Sequence, residues 1–168
     1  DDDIRLTRNA QPALFATSMA ALAVLCAETG KSVAEMASFT AGHSLGEYAA
    51  LAAAGSLSIS DAARLLRLRG DAMQNAVPVG AGAMAAVLGA EEHVIEEIVA
   101  AARDVGVVQL ANDNAPGQIV ISGAATAVEK AMQIAKDKGL RKVIKLPVSA
   151  PFHCDLMAPA ATAMAEAL

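Results

Sequence analysis

The chain is 168 residues long, 55% hydrophobic, with a net charge of -5, three Phe, one Tyr and no Trp. That length and apolar content suffice for one sizeable domain or two small ones with a filled core, and they exclude an intrinsically disordered chain. An acidic balance with so few aromatic rings excludes a nucleic-acid binder, and Cys26 and Cys154, isolated and without metal-ligand spacing, exclude a disulfide scaffold and suit a reduced compartment.

The start, Asp1-Asp2-Asp3, is acidic where a signal peptide is basic and has no initiator Met, so the sequence reads as beginning mid-protein. Ala10 to Ala27 carries no charge, but Gln11, Pro12, Thr17 and Ser18 and its Ala-rich composition predict a buried core helix rather than a membrane span. Asn9 is the expected cap of that helix, with Pro12 in its first turn and Gly30 past its end. Glu35 to Thr40 is expected to run as a short buried strand, and Leu45 to Ala54 as a helix closed by Gly55.

Between those two elements stands Gly42-His43-Ser44-Leu45-Gly46. Gly-x-Ser-x-Gly at a strand-to-helix turn describes a nucleophile elbow, in which a strained serine projects beyond the sheet and the following helix aims N–H groups at developing negative charge. A tight turn with an inert serine is the alternative.

Ser58-Ile59-Ser60-Asp61 resembles a capping box opening a helix that runs to about Asn75. Asp61, Arg64, Arg67 and Asp71 form its charged, solvated face. Arg69 falls instead on the apolar face, with Ala62, Leu65, Leu66 and Met73 at helical spacing. A buried cation needs a partner, either a ligand carboxylate that matches the guanidinium fork or, internally, an acidic residue or helix-end carbonyls.

After the Gly-rich stretch following Val77-Pro78, the pattern predicts a strand over Ala83 to Leu88, a helix over Glu91 to Val105 and paired strands over Val107 to Ala111 and Gln118 to Ser122. A helix opened by Thr126 and closed at Gly139 and a strand over Lys142 to Leu146 complete it. The order βαββαβ describes a small ferredoxin-like subdomain, residues 79-146, inserted into a large α/β subdomain made of residues 1-78 and 147-168. His153 then sits on a proline-braced loop, either as a general base or as a histidine satisfied at a helix start. Asp155, two residues away, has poor reach to the distal ring nitrogen, so no triad is drawn. His43 is expected to be packing and His93 to lie on a polar helix face.

Taken together, Gln11-Pro12-Ala13-Leu14, Gly-His-Ser-Leu-Gly-Glu-Tyr around Ser44, Arg69-Gly70, Met73-Gln74, Gly82 to Ala86, Pro116-Gly117-Gln118 and Leu146-Pro147-Val148-Ser149 leading to His153 resemble the malonyl-CoA:acyl carrier protein transacylase family. Arg69 and His153 lie 25 and 109 residues beyond Ser44, as the family has them. The resemblance implies a hydrolase-like α/β core and a ping-pong acyl transfer in fatty acid biosynthesis. Ser44 would carry the malonyl group, His153 would act as base and then acid, Arg69 would bind the malonyl carboxylate and the Leu45 amide would supply half of the oxyanion hole. Phe152 resembles the bulky residue of malonyl-selective members and implies discrimination against branched extender units. Malonyl-CoA and an acyl carrier protein are the implied partners, with no metal or redox cofactor and no membrane, in a cytoplasmic enzyme that is expected to be a monomer when complete.

Family members of about 300 residues carry an N-terminal Gln-containing loop and a C-terminal segment that are not recognised here, so the sequence is read as a fragment with poor activity alone. Lys136, Lys138, Arg141, Lys142 and Lys145 concentrate positive charge, as a carrier-protein surface or as a solvated face. The rival readings are an α/β-hydrolase-type serine esterase or thioesterase and a non-catalytic carrier-protein-binding fragment.

Overall fold

A computed structural model describes residues 2–168, with a mixed α/β fold. The chain divides into two compact units, Asp1–Asp71 with Met164–Leu168, and Ala72–Ala163.

In the first unit, α1 (Thr7–Thr29) begins two residues before the expected Asn9. Leu6 holds the extended cap position, and the Asn9 side chain turns back to donate to the Asp3 carbonyl at 2.9 Å. Gly30 closes the helix at φ 65°, donating to the Cys26 carbonyl, a left-handed ending that costs glycine little. The expectation of a buried core helix is corrected. Only Thr7, Gln11 and Phe15, one residue per turn, are buried, while Val24 is 61% exposed. Apolar residues run round the whole helix, but only this stripe meets a partner, as Phe15 packs with Ala62 and Leu66. By length and composition Thr7–Thr29 could cross a membrane; its N-terminal half instead seats a buried Gln and Phe among side chains of the same unit.

The expected strand over Glu35 to Thr40 is also corrected. Ser32 and Glu35 form a capping box, with the Glu35 carboxylate accepting from the Ser32 amide and hydroxyl at 2.7 Å, and this starts the short helix α2 (Val33–Met36). Those two bonds hold the Glu35 carboxyl below the usual carboxylate range. The residues after it are exposed, Phe39 at 92%. Helix α3 (Gly46–Ala53) and the left-handed Gly55 follow as expected.

Helix α4 (Ile59–Asn75) opens on Ser58, whose hydroxyl accepts the Asp61 amide at 3.0 Å. Its charged face is as expected: Arg64 pairs with Asp61, and Arg67 with Asp71 at 3.0 Å. At Gly70 the helix crosses the start of α1 so closely that a Cβ would lie 2.6 Å from the Arg8 Cα. Glycine is required there by space, not by φ.

The second unit contains β1 (Gly82–Leu88), α5 (Glu92–Ala102), β2 (Val108–Ala115), β3 (Gln118–Ala124), α6 (Ala125–Asp137), β4 (Lys142–Lys145) and α7 (Ala158–Ala167), whose end passes into the first unit. The strands form one antiparallel sheet in the order β2-β3-β1-β4. Ala83, Ala85, Val87, Ile119 and Ile121 face α5 and α6, where Ile95, Ile98, Val99, Val128 and Ala131 close the core. Each fully buried Ile or Val there contributes about 1.5–3 kcal/mol.

The hairpin between β2 and β3 is longer and its turn tighter than expected. Asn112, Asp113 and Ala115 pair with Val120, Ile119 and Gln118, with two register shifts, leaving only Pro116-Gly117 as the turn. Gly117 at φ 73° behind a proline fits a type II turn, which explains why so few residues suffice.

The compact units also part at different positions from the boundaries read in the sequence. Ala150, Met157 and Ala160 pack with Met73 and Val77, so the segment after β4 belongs by its contacts with the sheet-bearing unit.

Candidate active site

Ser44 stands at the head of α3 with φ 54°, a left-handed backbone that a non-glycine residue adopts at a cost of about 1–3 kcal/mol. The turn that imposes it is tied by short bonds: Gly46 N–H to the His43 carbonyl at 2.9 Å, Glu47 N–H to the Ser44 carbonyl at 3.1 Å, and Tyr48 N–H to the Leu45 carbonyl at 3.1 Å. These bonds do not use the Leu45 amide, which heads the helix where N–H groups lack intrahelical acceptors. Gly42 is the glycine that space demands, since a Cβ there would sit 1.9 Å from the Gly46 carbonyl oxygen. Around Gly46 the space is open. His43, expected as packing, is exposed.

Arg69, half-buried on α4, reaches Ser44. Its Nη2 donates to Ser44 Oγ at 3.2 Å and its Nη1 to Gln11 Oε1 at 2.6 Å. Both acceptors are neutral, so the internal acidic partner considered from the sequence is not what holds this cation. Burial lowers the guanidinium pKa from its ordinary value, and Tyr48 and Glu47 act in the opposite direction through space. Burial in turn raises the Tyr48 hydroxyl pKa.

Gln11, whose place in this site its motif alone does not reveal, completes the arrangement. It is 3% exposed, donates through Nε2 to Thr7 Oγ1 at 2.8 Å and so turns its carbonyl oxygen to Arg69. An amide side chain one turn after Thr7 and one turn before Phe15, on the same stripe of the helix, is the signal that could have marked it. With Gly70 allowing α1 and α4 to touch, Thr7, Gln11, Arg69 and Ser44 form one connected chain of hydrogen bonds.

In the second unit, His153 is the other non-glycine residue among those described that adopts the left-handed region, at φ 57°. Its loop is braced at several points. Gln74, 7% exposed, donates to the Ser149 carbonyl at 3.4 Å, Cys154 Sγ donates to the Pro151 carbonyl at 3.2 Å, and Met157 N–H donates to the Cys154 carbonyl. Phe152 packs on the cluster of Met73, Val77 and Met157. Asp155 gives its amide to Gln109 Oε1 at 2.6 Å. Of the residues singled out in the sequence, Ser44, Leu45 and Arg69 therefore share the first unit, and Phe152 and His153 share a loop of the second.

The model of the acyl transferase domain matches residues 2–168. The chain belongs to the acyl transferase domain family. Within it, the chain is 50% identical over 168 residues to the malonyl CoA-acyl carrier protein transacylase of Bacillus subtilis (strain 168), covering 99% of this chain and 51% of that protein. Its fold superposes on the acyl-carrier-protein-S-malonyltransferase of Bartonella henselae with a TM-score of 0.93 at 55% identity, covering 99% of this chain and 52% of that one. A third acyl transferase relative, a malonyl-transacylase solved in complex with its type II PKS acyl-carrier protein, gives a TM-score of 0.91 at 41% identity, with coverages of 98% and 52%. The chain thus spans about half the length of the relatives it matches.

The basic cluster is in part paired internally. Lys138 bonds Glu97 and Lys145 bonds Glu129, both at 2.8 Å, leaving Lys136, Arg141 and Lys142 as exposed cations without an ion pair among the described residues.

Proposed function

We propose that this chain carries the malonyl-accepting chemistry of a malonyl-CoA:acyl carrier protein transacylase, in fatty acid or polyketide synthesis in the cytoplasm. The observation that carries the reading is the guanidinium of Arg69, held by Gln11 and set 3.2 Å from Ser44 Oγ. An esterase has no need of a cation against its nucleophile; an enzyme whose acyl group ends in a carboxylate does.

In this reading Ser44 Oγ attacks the thioester carbonyl, its proton passes to His153, and the Leu45 amide binds the oxyanion. The tetrahedral intermediate collapses by breaking the C–S bond, and His153 returns the proton to the departing CoA thiolate. The phosphopantetheine thiol of the carrier protein then reverses these steps and takes the malonyl group. Arg69 keeps Gln11 through Nη1 and turns Nη2 from Ser44 to the malonyl carboxylate. No metal or redox cofactor enters. The β-sheet module is read as ferredoxin-like, on its strand order, and the elbow unit as part of a hydrolase-like core.

Incubation with malonyl-CoA followed by intact-mass and peptide analysis tests this. A malonyl adduct is expected on Ser44, discharged by carrier protein much faster than by water. Discharge by water alone points to the esterase reading, and no adduct on the complete enzyme points to a binding module.

Phe152 is proposed to disfavour branched acyl groups. One methyl changes binding in an apolar pocket by about 1–3 kcal/mol, so methylmalonyl-CoA should acylate Ser44 roughly 10- to 100-fold more slowly than malonyl-CoA. Equal rates would remove Phe152 from that role.

A further inference from the structure

We infer that Gln109, on β2, is a positioning residue for His153. The inference rests on the acyl-transfer reading for its kinetic consequence, but not for its structural one. Pleat alternation places Ala83, Ala85, Ile119 and Ile121 on the helix-covered face of the sheet, and Gln109 with its cross-strand partner Ser122 on the other. The chain after β4 lies against that second face. Pro151 sits so close to Gly82 that a Cβ there would be 2.3 Å from the Pro151 Cγ. The 3-10 turn Asp155–Met157 follows at once, and its first amide is the one bound by Gln109 Oε1 at 2.6 Å.

His153 lies between these two fixed points. Its left-handed backbone is intrinsically unfavourable and relaxes unless the residues on either side are held. Upstream the clamp is steric, Pro151 on Gly82. Downstream it is the Gln109 side chain, which accepts the first amide of the turn. A one-residue relaxation at His153 would swing the imidazole rather than unfold the loop, because Met157 and Ala150 remain packed with Met73 and Val77. Gln109 also borders a cavity of about 370 Å³ lined by Arg103, Gly106, Val107, Val108 and Asp155. Its truncation therefore opens onto space and does not perturb the Ile95-Ile121 core.

Two variants of the complete enzyme test the inference. Gln109→Met keeps the side-chain length and removes the acceptor; Gln109→Glu keeps an acceptor. Amide exchange at Asp155 should quicken about five- to tenfold in Gln109→Met, the weight of one hydrogen bond, and return to near the parent rate in Gln109→Glu. Malonyl transfer should lose roughly tenfold in kcat in Gln109→Met with KM for malonyl-CoA little changed, because misplacing a catalytic group by a fraction of an ångström slows the chemical step more than it weakens binding. Gln109→Glu should restore most of kcat, and Tm should hold in both. Unchanged exchange, an equal kcat loss in the two variants, or a kcat loss that follows a fall in Tm would each overturn the role of Gln109. If His153→Ala leaves acylation of Ser44 intact, the acyl-transfer reading of His153 falls, while the exchange result still decides whether Gln109 holds the turn.

Discussion

In the complete enzyme, Arg69→Ala is expected to lower kcat/KM for malonyl-CoA steeply while leaving acylation by acetyl-CoA, which has no terminal carboxylate, near its original rate. Removing one member of a desolvated, hydrogen-bonded charge pair costs about 2–5 kcal/mol, which corresponds to a loss of roughly 30- to several-thousand-fold. The acetyl control matters because Arg69 also has a structural partner. Its removal leaves the Oε1 of Gln11, a residue 3% exposed, without its 2.6 Å donor, a further cost of about 1–3 kcal/mol to stability. That cost falls on both substrates alike, whereas loss of the carboxylate contact falls on one. Arg69→Lys should recover only part of the malonyl rate, since an ammonium cannot serve Gln11 and a carboxylate with a planar fork. Parallel loss of malonyl and acetyl transfer would show that Arg69 supports the fold and does not select the substrate.

The sequence carried some of this arrangement and not the rest, for reasons that differ residue by residue. Arg69 stood out because helical periodicity alone puts its charge among apolar neighbours. The elbow stood out because Gly42 is required by contact, at 1.9 Å, and such a demand is written in residue identity. The order of elements in the second unit followed from apolar alternation and from Gly106, Gly117 and Gly139, all at positive φ. What stayed hidden depended on tertiary partners. Gln11 becomes part of the site only when Gly70 brings α4 against α1. The left-handed backbone of His153 has no glycine to announce it and is held where Gly82 meets Pro151 and Gln109 binds Asp155, two contacts with strands distant in sequence. Glu35 to Thr40 resembles a strand in residue type alone, but Ser32 lies just outside it, and its reciprocal bonds with Glu35 commit the chain to a helical turn.

Gly42→Ala is the second variant expected to have a large effect, and it separates backbone strain from side-chain chemistry. The added methyl meets the Gly46 carbonyl oxygen at 1.9 Å and the Gly46 carbonyl carbon at 2.0 Å, both backbone atoms that cannot rotate away. Relief requires the first turn of α3 to move, and that turn carries Ser44, the Leu45 amide and the bond from Gly46 to His43. Overpacking of this kind typically costs about 1–3 kcal/mol of stability. The expected effect on acylation is larger than the stability loss alone would give, because a shift near 1 Å in a reacting group can slow the reaction about 100-fold. Gly46→Ala is the matched control: its Cβ would meet nothing within 4 Å, so it should leave both folding and acylation nearly unchanged as far as this unit is concerned. Thermal unfolding together with the rate of malonyl-adduct formation on Ser44 checks the pair. Should Gly42→Ala acylate at the parent rate, the elbow would be able to move without displacing its serine, and the strain at φ 54° would have no part in presenting the nucleophile.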